Sequence, residues 1–161
     1  MLYGVSDLKE LIFLKSKEVK QLMKRVNDQW GADFLDLFQE FAFFKNKEKI
    51  FLVTRNIAEV PFEKLRLNNA GMYILEDKND ELRLSVEGSQ LLGKNATKNI
   101  IELNKDEIVE WLKGNDFEKQ GDNKGFVMIK YKDDFFGSGK FKENRLLNFL
   151  PKIRRLNEVN V

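Results

Sequence analysis

The sequence contains no cysteine and no histidine. Without cysteine there are no disulfides and no thiolate nucleophile. Without either residue there is no Cys/His zinc site and no imidazole base. Carboxylates, lysine and tyrosine remain as proton-transfer groups, so an enzyme is the weakest functional class and no cofactor is implied. No apolar run approaches the roughly 18 residues that a membrane span needs. The N-terminus lacks a signal-peptide layout, because Asp7, Lys9 and Glu10 precede the short apolar run Leu11–Leu14. A cytoplasmic location with no membrane partner is expected. An excess of one charge is also missing: 28 Lys and Arg face 26 Asp and Glu, for a net +2. Any anion-binding surface must therefore be local.

Such a local concentration is present. The stretch Lys124–Leu156 opens with strand-like alternation of Phe126, Met128 and Lys130 with Val127, Ile129 and Tyr131. Gly137 and Gly139 then permit a bulge or a close backbone approach. Between Ser138 and Leu156, Lys140, Lys142, Arg145, Lys152, Arg154 and Arg155 stand against Glu143 alone, so six basic residues minus one acidic give +5. Phe141, Leu146, Leu147, Phe149, Leu150 and Ile153 are interleaved with these cations and would anchor them to a folded surface. A basic run is also compatible with an ordinary solvated surface. Gly137-Ser-Gly-Lys140 is not a P-loop. Asp134 stands where the first glycine belongs and Phe141 where Ser or Thr would bind magnesium, which argues against ATP.

The rest of the chain supports a packed core, with 42% hydrophobic residues and fourteen Phe. Ser16 is placed as an N-cap. Val19, Leu22, Met23, Val26 and Trp30 come after it at helical spacing, and Gly31 stops the helix. Phe38, Phe41, Phe43 and Phe44 lead through Lys45–Lys49 into Ile50–Val53, which predicts a hairpin. This Phe cluster reads either as core or as a base-stacking platform, with core favoured. Pro61 marks a loop. A second hairpin is expected over Gly71–Leu75 and Leu82–Val86. Its acidic tip, Glu76, Asp77, Asp80 and Glu81, should point away from any nucleic acid and reads as a solvated turn rather than a metal site. Val86–Leu92 reads as a short helix that Gly93 terminates. The polar run Gly93–Lys98 is the best candidate boundary. Beyond it lie a strand at Asn99–Leu103, a capping box of Asn104 and Glu107, and a helix with Ile108, Val109, Trp111 and Leu112 on its apolar face. Gly114 is placed at that helix's C-terminal cap.

The strand opening Gly125-Phe-Val, the aromatic-glycine turn, and the run from Gly139-Lys140 through Asn148, Pro151-Lys152 and Arg155 resemble the C-terminal PUA domain of Nop/Sun-type RNA cytosine-5 methyltransferases. Asn99–Phe117 resembles the opening of such a domain. Residues 1–95, with Gly71-Met-Tyr and Leu82-Arg-Leu-Ser-Val, are similar to the domain that precedes the PUA in Nip-type ribosome-assembly factors. The resemblance implies an α+β protein: a small N-terminal α/β, pre-PUA domain over residues 1–95, then a PUA-like β-barrel over residues 96–161. A C-terminal part so small is marginal alone, so the two parts should share an apolar interface. The family's catalytic domain depends on cysteine, so its enzymatic half does not carry over. What carries over is RNA binding, to rRNA or tRNA during maturation or modification. The implied RNA-binding residues are Lys113, Gly114, Lys140, Lys142, Arg145, Lys152, Arg154 and Arg155, and no metal ligands are implied. Gly114 keeps its competing role as a helix cap, and Asn148 matches the family pattern or makes a structural turn bond. The alternative function is a protein-interaction adaptor whose N-terminal domain recruits an RNA methyltransferase or a ribosome-assembly factor.

Overall fold

A computed structural model describes residues 12–55 and 71–161. The loop assigned to Pro61 lies outside them. The elements run β1 (Ile12–Phe13), α1 (Ser16–Trp30), β2 (Phe41–Asn46), β3 (Lys49–Thr54), β4 (Met72–Lys78), β5 (Glu81–Leu84), α2 (Val86–Gly93), β6 (Ile100–Glu102), α3 (Lys105–Lys113), β7 (Phe117–Glu118), β8 (Gly125–Tyr131), β9 (Asp134–Lys142) and β10 (Arg145–Asn148). Of the Leu11–Leu14 run, Ile12 and Phe13 form β1, a two-residue edge strand paired with β2.

Two sheets result. The first is antiparallel in the order β1-β2-β3-β4-β5. α1 packs its apolar stripe, Val19, Leu22, Met23, Val26 and Trp30, into the same core as Ile50, Leu52, Ile74 and Leu84 of that sheet. Its N-cap is Lys15 rather than Ser16: Ser16 is already helical, and the Glu18 carboxylate accepts the Lys15 amide at 2.7 Å. Gly31 closes the helix at φ 72°. The Phe cluster is largely core. Phe43, Phe44 and Phe51 are buried, and Phe44 stacks on Phe51 with centroids 4.9 Å apart, leaving no open platform for a base there. The β4–β5 hairpin turns through Asn79 and Asp80, both at positive φ, as a tight two-residue hairpin requires.

α2 starts on Ser85, whose hydroxyl accepts the Gly88 amide at 2.9 Å. It runs through Gly93 rather than ending before it. Gly93 is buried, and a Cβ there would lie 2.5 Å from the Phe135 ring. The residue serves close packing against β9, not termination.

The second sheet has the order β6-β8-β9-β10-β7, with β6 parallel to β8 and the other pairs antiparallel. It curls into a half-barrel, as the PUA-like reading requires. A register shift between Met128 and Lys130 bends β8 against β9. Ile108 and Trp111 of α3 pack on one side of the half-barrel with Val127, Ile129, Phe141 and Leu146. Gly139 makes room for that helix: a Cβ there would sit 3.0 Å from Trp111 Cη2 and 2.8 Å from Leu146 Cδ1. The Trp111 indole donates to the Phe136 carbonyl at 3.0 Å.

The opposite side of the half-barrel meets the first half of the chain. Met128 and Phe135 join the core of α1 and the first sheet, and Val86 joins the core around Trp111. The Gly137 amide donates to Ser89 Oγ at 2.9 Å. The Gln29 side-chain amide donates to Leu82 O at 3.1 Å and Phe126 O at 3.2 Å, so one residue of α1 touches both sheets. Among the described residues, no helix is long and apolar enough to cross a membrane.

Candidate nucleic-acid interface

The site is built on α3, on the β9–β10 hairpin and on the tail beyond β10. The capping box forms as expected: Asn104 Oδ1 accepts the Glu107 amide, and Glu107 accepts the Asn104 amide, both at 2.9 Å. At the other end Gly114 adopts φ 89°, with its amide on Trp111 O at 2.9 Å and the Asn115 amide on Glu110 O at 3.0 Å. This Schellman-type closure leaves Lys113 exposed on the last turn. The tail then returns over it. The Leu156 amide donates to Leu112 O at 2.8 Å, and Arg155 lies across Gly114, where a Cβ would meet Arg155 Cδ at 2.3 Å. Arg155 Nε donates to Leu150 O at 3.0 Å. Gly114 is thus both a helix cap and the seat of an arginine.

Asn148 holds α3 to β10. Its side-chain amide donates to Trp111 O at 2.8 Å and Asn115 O at 3.2 Å, and its carbonyl oxygen accepts the Leu150 amide at 2.8 Å. Its backbone amide donates to Asp116 at 2.7 Å. In this structure Asn148 makes the structural turn bonds.

The seven cations and one glycine expected from sequence fall into three groups. Lys113, Gly114 and Arg155 gather at the C-terminus of α3, with Lys152 exposed in the short 3-10 turn just before. Lys142 and Arg145 are exposed and face each other in register across the β9–β10 hairpin. β10 separates these two groups by about 10 Å, three residues of strand. Lys140 and Arg154 belong to neither. Lys140 pairs with Glu81 at 2.9 Å, and Arg154 pairs with Glu87. Both carboxylates belong to the first half of the chain. Among the described residues Lys113, Lys142, Arg145 and Lys152 have no acidic partner.

The acidic hairpin tip is not a free solvated turn. Asp77 takes both Arg25 guanidinium nitrogens at 2.7 and 2.8 Å, which raises the Arg25 pKa. Glu76 takes Arg83 at 2.9 Å, and Glu81 takes Lys140. Sequence reasoning missed Arg83, Phe126 and Phe149, which these pairs bring together. Arg83 lies over the Phe149 ring at 5.2 Å, Lys140 over the Phe126 ring at 5.1 Å, and the two rings meet edge-to-face at 5.0 Å. A second depression holds Met72, Tyr73, Val86, Pro151 and Ile153, with Ile153 91% exposed. Burial pushes the Tyr73 hydroxyl pKa up. No group of His, Cys, Asp and Glu among the described residues could hold a metal ion.

Residues 98–156 match the family model of the methyltransferase RsmF PUA domain. The chain is 26% identical over 140 residues to ribosomal RNA small subunit methyltransferase F of Aeromonas hydrophila, covering 86% of this chain and 28% of that relative. It is 30% identical over 112 residues to the protein of that name from Vibrio campbellii, covering 66% of this chain and 23% of the relative. The corresponding Vibrio vulnificus protein is 26% identical over 97 residues, 60% of this chain and 21% of its own length. The chain thus spans between a fifth and just over a quarter of these relatives.

Proposed function

We propose that this chain binds structured ribosomal RNA through residues 96–161, a PUA-type domain steadied by residues 1–95, and serves an rRNA modification reaction whose chemistry these 161 residues do not perform. The observation that carries the reading is the match of residues 98–156 to the PUA domain of an rRNA methyltransferase family. The geometry supports it. Four exposed cations without acidic partners among the described residues, Lys113, Lys142, Arg145 and Lys152, flank β10, and Arg155 lies across Gly114, next to Lys113. Arginine forks onto phosphate oxygens and lysine adds a point charge, while paired RNA offers its backbone more readily than its base edges. Lys140 and Arg154 are held by carboxylates and contribute less to phosphate contact. The absence of cysteine supports a binding rather than a methyl-transferring role.

Titration of a labelled small-subunit rRNA fragment across a salt series tests this. Changing Lys113, Lys142, Arg145 and Lys152 to Glu weakens binding strongly, and each lost phosphate contact flattens the log-affinity versus log-salt slope by about 0.7 to 0.9. Reversing Lys17, Lys20 and Lys24, exposed on α1, leaves affinity and slope close to wild type. If the α1 variant loses both and the folded C-terminal variant keeps both, the interface lies on the other half.

A further inference from the structure

The notch where the acidic hairpin meets the half-barrel is unlike the phosphate surface. Glu76, Lys78, Asn79, Glu81 and Arg83 from β4–β5 and Phe126, Lys140 and Phe149 from the C-terminal half line it, and its volume is about 300 Å³. Phe126 and Phe149 form its apolar wall, both half-buried, with a cation over each ring. Its rim alternates in sign. Glu76 and Glu81 oppose a phosphate, and Lys78, Arg83 and Lys140 oppose a cation. All five of these charges are already paired, Glu76 with Arg83, Glu81 with Lys140 and Lys78 with Glu48, so the notch has little net field.

A planar, neutral, strongly dipolar ligand fits such a place. An unpaired nucleobase has a π-face for the side of the Arg83 guanidinium turned away from Phe149, or for the ring face that its cation does not cover. A base that carries both an amino donor and a carbonyl acceptor, cytosine or guanine, offers N–H groups to Glu76 or Glu81 and an oxygen to Lys140 or Arg83. We propose that this notch takes one unpaired base of the bound RNA, so that Lys140 reads a base while Lys142, about 7 Å further along β9, holds backbone. This rests on the RNA-binding reading and extends it: both halves of the chain would contact one nucleotide.

The test uses the full chain and two synthetic RNAs, a perfectly paired duplex and the same duplex with a four-nucleotide single-stranded tail containing cytosine and guanine. Phe149→Leu and Phe126→Leu keep apolar packing and remove the ring. Each is expected to lose about tenfold in affinity for the tailed RNA, with duplex affinity unchanged. Ultraviolet crosslinking of the wild-type protein to the tailed RNA should place the attached nucleotide on Phe126 or Phe149 by mass spectrometry. If the wild type binds both RNAs equally with a steep salt slope, and crosslinks avoid both rings, the notch proposal fails while the RNA reading stands. If neither RNA binds in a salt-dependent way, the RNA reading itself fails. Should a Leu variant melt early, the crosslink position alone decides.

Discussion

Asn148 shows how one side chain can hold a proposed RNA surface in place. It ties the last turn of α3 to the end of β10 and fixes the chain as it leaves the strand. Both surfaces proposed for RNA depend on that junction, since Lys113 and Arg155 lie at one end of β10 and Arg145 at the other. Asn148→Ala leaves two backbone carbonyls and one amide without these partners. At about 1 kcal/mol per bond, a loss of about 2–3 kcal/mol is expected in urea unfolding. Asn148→Asp keeps the acceptor for Leu150 but sets a carboxylate oxygen against the Trp111 and Asn115 carbonyls at the C-terminus of α3, so it should be no more stable than Asn148→Ala. RNA affinity of the folded Ala variant should drop together with a flatter salt slope, because the cations at both ends of β10 lose their positions. Lost affinity with an unchanged slope would instead mark a direct, uncharged contact between Asn148 and RNA.

At the scale of elements, the features legible in the sequence are those complete at short range. The Asn104–Glu107 box and Gly114 lie within one helix, and their chemistry is complete within about ten residues. The β4–β5 turn and the strand over 126–131 come from local alternation and turn residues. The features that escaped depend on distant partners. Lys140 and Glu81 are 59 residues apart, and Arg154 and Glu87 are 67 apart, so nothing near either cation shows that it is engaged. Gly93 escaped for the same reason: a glycine after a helical run looks like a stop, and the Phe135 ring that requires it lies on β9. The packing of α2 on β9 gives a direct check. Gly93 has no positive φ, so alanine there is not barred by the backbone. Its methyl must displace the Phe135 ring, and overpacking of this kind costs about 1–3 kcal/mol. Gly93→Ala should lower stability by that amount in chemical denaturation, and the double change Gly93→Ala with Phe135→Leu should recover part of it. Gly93→Ala at wild-type stability would mean that the ring moves aside freely and that the two elements are not tightly packed.

At the scale of the molecule, the relation between the two halves decides whether one nucleotide can touch both. The C-terminal 66 residues have neither disulfide nor Cys/His metal site to stabilise so small a core. Their half-barrel instead lends Met128 and Phe135 to the core of the first sheet and receives Val86 in return. Gln29 adds hydrogen bonds to both sheets, and the Thr97 and Lys98 amides donate to the Trp30 carbonyl at 2.8 and 3.0 Å. Separating the halves would expose those side chains and break these bonds, so unfolding should be a single cooperative event. The two tryptophans report on it separately, because Trp30 lies in the first core and Trp111 in the second, both fully buried. In Trp111→Phe the fluorescence follows α1 alone, and in Trp30→Phe it follows α3 alone. Each substitution lowers the midpoint, so the comparison is made within each variant, between fluorescence and far-ultraviolet circular dichroism. Coincident curves are expected in both variants. Fluorescence from Trp111 that changes well before the circular dichroism would show the half-barrel opening by itself, and the notch between the halves would then be too loosely held to read a base.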